Sequence, residues 1–320
     1  MRPKVLMLSG AYDFSSDLVS LCLRDLAVPF VRVNREHLKE YRLALDPVGL
    51  TLTVRGLGID VEIGPDLVSV WFRQPVFLRN TPPKPLSPTE QLERSQWSAF
   101  IRALSVFDKA FWMNFPQATY LAECKPYQLL TAHRCGFQVP RTIVANDADA
   151  IKARFGDSIV VKSLDTVLLR EEGDCLFTYT TISEPAALTE HTVSTAPLLA
   201  QELLSDKTDV RVTVVGNKIF AVRILANGKG VDGDWRTIPK EDLTYEDFQL
   251  THEIEASCKK LAVSLGLSFA AIDLVDTSEG TFFVEVNPTG EWGWISNPDR
   301  QIDATIASWL SDPQPLRGIR

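Results

Sequence analysis

The chain has 320 residues, 45% of which are hydrophobic, and a formal net charge of −8 at pH 7. This length exceeds a single small domain and predicts two or three subdomains with a sizeable core. The acidic balance argues against a nucleic-acid-binding protein, which needs a basic surface.

The amino-terminal residues lack a signal-peptide pattern, and no apolar run is long enough to span a membrane. The five cysteines are scattered and form no C-x-x-C pair, which is typical of reduced thiols. These features predict a cytoplasmic protein without a membrane or nucleic-acid partner.

Residues 1–110 show the alternation of strands and helices expected of a compact α/β domain. The elements predicted there are strands at 4–9, 28–33 and 67–72, a hairpin of 50–54 with 61–63, and helices at 17–26 and 90–110.

Two further units are predicted at 111–196 and 197–312, followed by a tail at 313–320. The second unit has predicted helices at 125–135 and 147–154, strands at 143–144 and 159–162, and a hairpin of 166–170 with 175–181. The third has a predicted strand at 197–204, hairpins of 210–215 with 218–225 and over 267–287, and helices at 245–265 and 302–310.

The last predicted hairpin carries three oxygen-donor side chains. Asp273 lies in its first strand, and Glu285 and Asn287 lie two apart in its second strand. Because side chains alternate along a strand, Glu285 and Asn287 face the same side, and the hairpin brings Asp273 beside them. Each residue alone is more often a solvated strand residue, but an oxygen-only set suits Mg²⁺.

The segment Val284–Pro288 (VEVNP), preceded at hairpin distance by Ala271–Asp273, resembles the metal-binding strands of the ATP-grasp superfamily. The resemblance implies an α/β (α+β) ATP-grasp fold, in which two subdomains close on ATP behind an N-terminal pre-ATP-grasp domain. The implied cofactors are ATP and Mg²⁺.

The same resemblance implies a nucleotide site. Lys125 opens a helix that is followed by a G-x₃-P-x-T pattern, and Lys162 ends a strand; both match the phosphate-contacting lysines of the superfamily. The hinge residues that match its adenine-binding and ribose-binding positions are Gln201, Glu202, Leu203, Leu204 and Asp209.

Three arginines, Arg211, Arg223 and Arg236, follow the hinge. A guanidinium offers a fork of donors suited to a carboxylate or an acyl phosphate. We therefore expect these three residues to stabilise the negative charge that develops during acyl phosphate formation and transfer.

Six segments narrow the resemblance to the MvdD/MvdC-type graspetide ligases, which join Asp or Glu side chains of a precursor peptide to Ser/Thr hydroxyls or Lys amines. They are Val70–Pro75, Trp112–Pro116, 122–147, 209–224 with Asp234–Arg236, and 284–295. The resemblance implies a ribosomal precursor peptide as partner, engaged by the hairpin at 165–181, and a homodimer.

Two alternatives stay open. The chain could be a RimK-like ligase that adds free amino acids to a peptide or protein carboxylate, or an inactive ATP-grasp binding module. One departure from other ATP-grasp branches is that Ser163–Thr166 stands where they carry a glycine-rich phosphate loop.

Overall fold

The computed structural model describes residues 2–73, 84–165, 168–171, 174–177 and 180–314, with only the backbone of 168–171 and 174–177. The elements up to residue 113 are β1 (Val5–Ser9), α1 (Phe14–Asp25), β2 (Phe30–Asn34), β3 (Arg42–Asp46), β4 (Thr51–Gly56), β5 (Ile59–Ile63), β6 (Ser69–Phe72), α2 (Pro88–Ala103) and β7 (Phe111–Met113).

The N-terminal part contains two sheets. Strands β2, β1, β6 and β7 form a parallel sheet in that order, and β3, β4 and β5 form an antiparallel one. Strand β3 is not among the sequence predictions. The predicted helix at 90–110 ends early, since a 3₁₀ turn at Leu104–Val106 follows α2 and β7 then joins the parallel sheet.

The central part carries a small sheet with its own core. Its elements are α3 (Pro116–Ala122), α4 (Lys125–Arg134), β8 (Thr142–Ala145), α5 (Ala148–Arg154), β9 (Ile159–Lys162), β10 (Leu168–Glu171), β11 (Asp174–Phe177), β12 (Thr181–Ser183), α6 (Glu190–Val193) and β13 (Leu198–Glu202). Strands β12, β9, β13 and β8 form an antiparallel sheet in that order. The predicted hairpin is present as the antiparallel pair β10 and β11, while 166–167, 172–173 and 178–179 lie outside the described residues.

The C-terminal part is built on a five-stranded antiparallel sheet, ordered β16, β15, β14, β17 and β18. Its elements are β14 (Thr208–Val215), β15 (Lys218–Ala226), β16 (Leu243–Asp247), α7 (His252–Ser264), β17 (Phe269–Thr277), β18 (Gly280–Asn287) and α8 (Ile302–Ser311).

The helix predicted from Tyr245 is wrong in its first part. Residues Leu243–Asp247 form an edge strand that pairs with β15, and the helix begins only after Thr251. The hydroxyl of Thr251 accepts a hydrogen bond from the backbone N–H of Ile254, which is an ordinary N-cap.

The two faces of the five-stranded sheet are covered differently. One face packs against α4 and α7 through a cluster that includes Val210, Val212 and Leu261. The other face packs at one end against α8 and the N-terminal sheet, where Phe269 and Ala271 are buried. Because residues two apart on a strand share a face, the open end of this second face presents Asp273. Within the described residues, no helix is long and apolar enough to cross a membrane.

Candidate active site

Two buried carboxylates oppose each other on neighbouring strands. Asp273 of β17 pairs in register with Glu285 of β18, and Asn287 follows two residues later on the same face. The side-chain amide of Asn287 donates to Oε1 of Glu285 at 3.2 Å. A bulge after Asp273 shifts the register of this hairpin, and both Val284 and Glu285 line the cavity beside it. The hairpin therefore brings the three predicted oxygen donors together.

The pKa values of the two carboxyl groups are displaced in opposite directions. Burial, together with the charge of Glu285, raises the pKa of Asp273 to about 7, against the opposing charge of Arg211. Burial also acts to raise the pKa of Glu285, but the charges of Arg236, Lys162 and Lys125 outweigh it and hold that pKa below its usual range. The cations around Glu285 thus favour its ionised form.

Two of the three predicted arginines meet these carboxylates. Arg211 lies opposite Asp273 on β14, with Nε 2.9 Å from Oδ1, and is 6% exposed. A guanidinium nitrogen of Arg236 lies 3.7 Å from Oε1 of Glu285, while its other nitrogens bind Asp234 at 2.8 and 2.9 Å. Nη1 of Arg211 is buried without a hydrogen-bond partner among the described residues.

The third arginine, Arg223, is not brought to this site. It pairs in register with Val210, whose side chain lies on the face packed against α4 and α7. Its guanidinium is half exposed and binds Glu246 on the edge strand β16, with Nε 2.9 Å from Oε2. The predicted catalytic set of three arginines is therefore reduced to Arg211 and Arg236.

Of the two predicted lysines, Lys162 lines the cavity between the central sheet and the C-terminal sheet, whereas Lys125 does not. Lys162, at the end of β9, donates to the amide oxygen of Gln201 at 3.0 Å, and Gln201 in turn donates to Thr142. Burial lowers the pKa of Lys162, an effect that the charge of Glu285 opposes. Lys125, the first residue of α4, reaches the backbone carbonyl of Leu164 at 3.5 Å.

A cavity lies between the central sheet and the C-terminal sheet. Its lining includes most of the residues predicted to contact a nucleotide or metal: Lys162, Gln201, Glu202, Leu203, Leu204, Asp209, Asp273 and Glu285.

The predicted hinge residues lie at the end of β13 and directly after it, along one edge of this cavity. Glu202 is tied to Arg141 by hydrogen bonds from the backbone N–H at 2.8 Å and from Nε at 2.6 Å. Asp209 is paired with Lys207, and burial raises its pKa despite that cation. The carboxylates at both ends of the hinge thus have fixed partners.

The sequence reasoning did not list Lys207, Asp234 and Trp235, which also line the cavity. Lys207 stands two residues before Asp209, and this alternation could have indicated a same-face ion pair. Asp234 and Trp235 belong to the Asp234–Arg236 segment, of which only the arginine was predicted as a site residue.

A second cavity adjoins the first. Trp235 and Arg236 line both cavities, whereas Arg211 and Asn287 line only the second. Trp294 packs against Trp235 and Tyr245 with ring centroids 5.5 and 4.6 Å apart, and forms an aromatic wall. The two cavities therefore share Trp235 and Arg236 and meet along the strand of Glu285 and Asn287.

The donor set fits Mg²⁺. Asp273, Glu285 and Asn287 offer two carboxylates and one amide oxygen, the hard donors that this ion prefers. Within the described part of the chain, no group of three or more His, Cys, Asp and Glu side chains could hold a metal. An oxygen site completed by an amide is thus the arrangement that the chain provides.

The described geometry agrees with a known family. The model of the RimK-like ATP-grasp domain matches residues 123–310, more than half of the chain. The chain belongs to the RimK-like ATP-grasp family. This assignment confirms the ATP-grasp fold and the ligase class predicted from the sequence.

Several solved structures share the fold over almost the whole chain. A RiPP-associated ATP-grasp ligase from Chryseobacterium gregarium, in complex with ADP and a leader and core peptide, has 21% identity, a TM-score of 0.86 and 98% coverage of either chain. Macrocyclase MdnC from Microcystis aeruginosa MRC, bound with precursor peptide MdnA, has 21% identity and a TM-score of 0.81, covering 96% of this chain and 98% of that chain. ATP-grasp ligase PsnB, complexed with a precursor variant, Mg and ADP, has 18% identity and a TM-score of 0.72, covering 97% and 98%.

Curated relatives match only part of the chain. The tetrahydromethanopterin:alpha-L-glutamate ligase of Methanococcus maripaludis is 25% identical over 183 residues, which cover 54% of this chain and 58% of the relative. The chain thus spans less than two thirds of that relative's length.

Proposed function

We propose that this chain is an ATP-dependent peptide ligase that phosphorylates Asp or Glu side-chain carboxylates of a ribosomal precursor peptide and then closes ester or amide macrocycles. The observation that carries this proposal is the meeting of two cavities at Arg211, Arg236 and the strand of Glu285 and Asn287. One cavity suits a nucleotide, and the adjoining one suits a peptide side chain.

The first cavity would hold ATP. Lys125 and Lys162 would neutralise the polyphosphate, the hinge from Gln201 to Leu204 would bind the adenine, and Asp209 would accept hydrogen bonds from the ribose. ATP and Mg²⁺ are the cofactors, in agreement with the neighbours that were solved with ADP or with Mg and ADP. When bound by Asp273, Glu285 and Asn287, Mg²⁺ would neutralise charge on the phosphates.

The chain's own residues account for both chemical steps. A peptide carboxylate oxygen attacks the terminal phosphorus of ATP, ADP leaves, and an acyl phosphate forms. A hydroxyl or amine then attacks the acyl carbon, inorganic phosphate leaves, and the nucleophile loses one proton. Arg211 and Arg236 would hold the negative charge that builds up in both steps, because they face the junction of the cavities. Nη1 of Arg211, which has no hydrogen-bond partner among the described residues, would donate to the substrate oxygen.

The peptide partner is part of the same proposal. The C. gregarium ligase and MdnC were solved with a leader and core peptide and with a precursor peptide, respectively. We extend this to the present chain, with the hairpin at 165–181 as the leader-binding element and a homodimer as the assembly.

A second candidate is a RimK-like ligase that adds free amino acids to a carboxylate, favoured by the curated glutamate ligase relatives. Intact-mass measurement with ATP, Mg²⁺ and the peptide encoded beside this gene separates the two. Loss of one water per ring supports the macrocyclase. A mass gain by whole residues in the presence of free glutamate would replace it with the amino-acid ligase.

A further inference from the structure

Polar side chains that lie outside both cavities form hydrogen bonds with the backbone of β18 and of the residues directly after it. We propose that Gln128, Asn114 and Arg73 are positioning residues, which fix the backbone on either side of Glu285 and Asn287. This role rests on the proposed function, because it concerns the Mg²⁺ site.

Gln128 acts on the residue between the two ligands. It lies on α4 and is 4% exposed. Its Nε2 donates to the carbonyl of Val286 at 2.9 Å, and its Oε1 accepts from the N–H of Val286 at 3.1 Å. Since β18 is the edge of the sheet, this amide takes the place of a neighbouring strand for Val286.

Asn114 binds the carbonyl of Pro288, two positions beyond Val286. It follows β7 and is 1% exposed. Its Nδ2 donates to the carbonyls of Pro288 and Phe269 at 2.9 and 2.8 Å, and its Oδ1 accepts from the N–H of Phe269 at 2.9 Å. One side chain thus ties the end of β18 to the start of β17.

Arg73 completes the series from the end of β6. It is 1% exposed, and its Nη1 donates to the carbonyls of Thr289 and Gly290. Its Nη2 lies 2.7 Å from the carboxylate of Glu291, and Asp13 balances the buried charge at 3.3 Å from Nε. Thr289, Gly290 and Glu291 line the second cavity.

Side chains from three separate parts of the chain therefore form hydrogen bonds with the backbone at four of the five positions from 286 to 290, namely 286 and 288–290. A rotation of this backbone would turn Glu285 and Asn287 away from Asp273. Outer partners that orient metal ligands are typically responsible for about 10–100-fold in metal affinity. We expect the same of these side chains.

The test is calorimetric titration of ADP into the whole protein with Mg²⁺ and with EDTA. Gln128→Leu removes both hydrogen bonds to Val286 at similar volume. We expect ADP affinity in EDTA to match wild type and the gain in affinity on adding Mg²⁺ to fall about tenfold. Melting temperature is recorded alongside, because a purely structural role would lower it without changing the Mg²⁺-dependent gain.

Thr131→Val is the matched control. Thr131 is also buried on α4, but among the described residues its hydroxyl binds only the carbonyl of Tyr127 in the same helix, at 2.8 Å. This variant should keep the wild-type gain.

Arg73→Lys serves as a second variant should Gln128→Leu fail to fold. A lysine keeps the charge beside Asp13 but lacks the fork that reaches two carbonyls and Glu291. A smaller Mg²⁺-dependent gain supports the role, and an unchanged gain in a folded variant overturns it. If the ADP affinity of the wild-type protein does not change when Mg²⁺ is added, the proposed function is overturned together with this role.

Discussion

The two sides of the candidate site, which we call the C-terminal wall and the central wall, balance their charges in different ways. On the C-terminal wall, Arg236 at the first cavity is paired with Asp234, and Arg211 at the second cavity is paired with Asp273. On the central wall, Lys162 contacts only a neutral amide, and within the described residues neither it nor Lys125 forms an ion pair. The central wall therefore carries positive charge without a protein partner.

This difference assigns a separate task to each wall. The ammonium groups of Lys162 and Lys125, which form no ion pair among the described residues, suit an anionic ligand such as a polyphosphate. Paired groups on a rigid sheet are held in place before substrate arrives, as stabilisation of a transition state requires. We thus expect mutations on the two walls to affect binding and chemistry separately.

The largest effect should come from the metal-binding strand. Glu285→Gln keeps the shape of the side chain but removes the charge that holds a cation. We expect turnover of ATP with Mg²⁺ and peptide to fall by about 10³-fold, the upper end of the loss for one transition-state-stabilising group. A steady-state phosphate-release assay measures this. Glu246→Gln on the outer strand is the control, and near wild-type turnover of Glu285→Gln would contradict the assignment.

Arg211→Ala should impair chemistry more than nucleotide binding. We expect ring formation to fall by about 10²-fold, with ADP affinity nearly unchanged because Arg211 lines only the second cavity. Arg223→Ala is the matched control on the neighbouring strand. Its exposed pair with Glu246 contributes only about 0–1 kcal/mol, so activity should stay near wild type. An equal loss of ADP affinity and ring formation in Arg211→Ala would move this residue to phosphate binding.

Lys162→Met should show the opposite pattern. Removing one charge-assisted contact of about 1.5 kcal/mol lowers ATP affinity by about tenfold, while ring formation at saturating ATP changes less. Titration of ATP by calorimetry measures the loss. Lys218→Met, at the exposed start of β15, is the comparison, and unchanged affinity in Lys162→Met would remove the central wall from phosphate binding.

The smallest effect tests the second cavity. Trp294→Leu removes an aromatic wall that contacts Trp235 and Tyr245. A loss of about 1 kcal/mol, typical of an aromatic pair, should raise the KM for the peptide several-fold. The KM for ATP should stay constant in the same assay. A change in the KM for ATP alone would instead show that the peptide binds elsewhere.

The sequence predicted the meeting of Asp273, Glu285 and Asn287 because this information is local. The two-residue period of each strand and one turn are enough to bring these side chains onto one face. The sequence also contained enough information to place Arg223. A two-residue turn pairs Val215 with Lys218, so the same register pairs Arg211 with Val222, and the next residue, Arg223, points to the opposite face. Considering each arginine separately concealed that Arg223 faces the other way.

Other features depend on distant parts of the chain. Strand β16 has the composition of a helix start, and only its pairing with β15 makes it extended. Likewise, the contacts of Arg73 with Thr289 and Gly290 join residues more than two hundred positions apart. Local patterns in the sequence do not encode such contacts.

The central claim is that a peptide carboxylate is activated by phosphorylation. The direct measurement is a reaction of the wild-type enzyme with a peptide whose Asp and Glu carboxylates carry oxygen-18. Release of labelled inorganic phosphate, one labelled oxygen per bond formed, is the predicted result. Bond formation that releases only unlabelled phosphate would contradict the account.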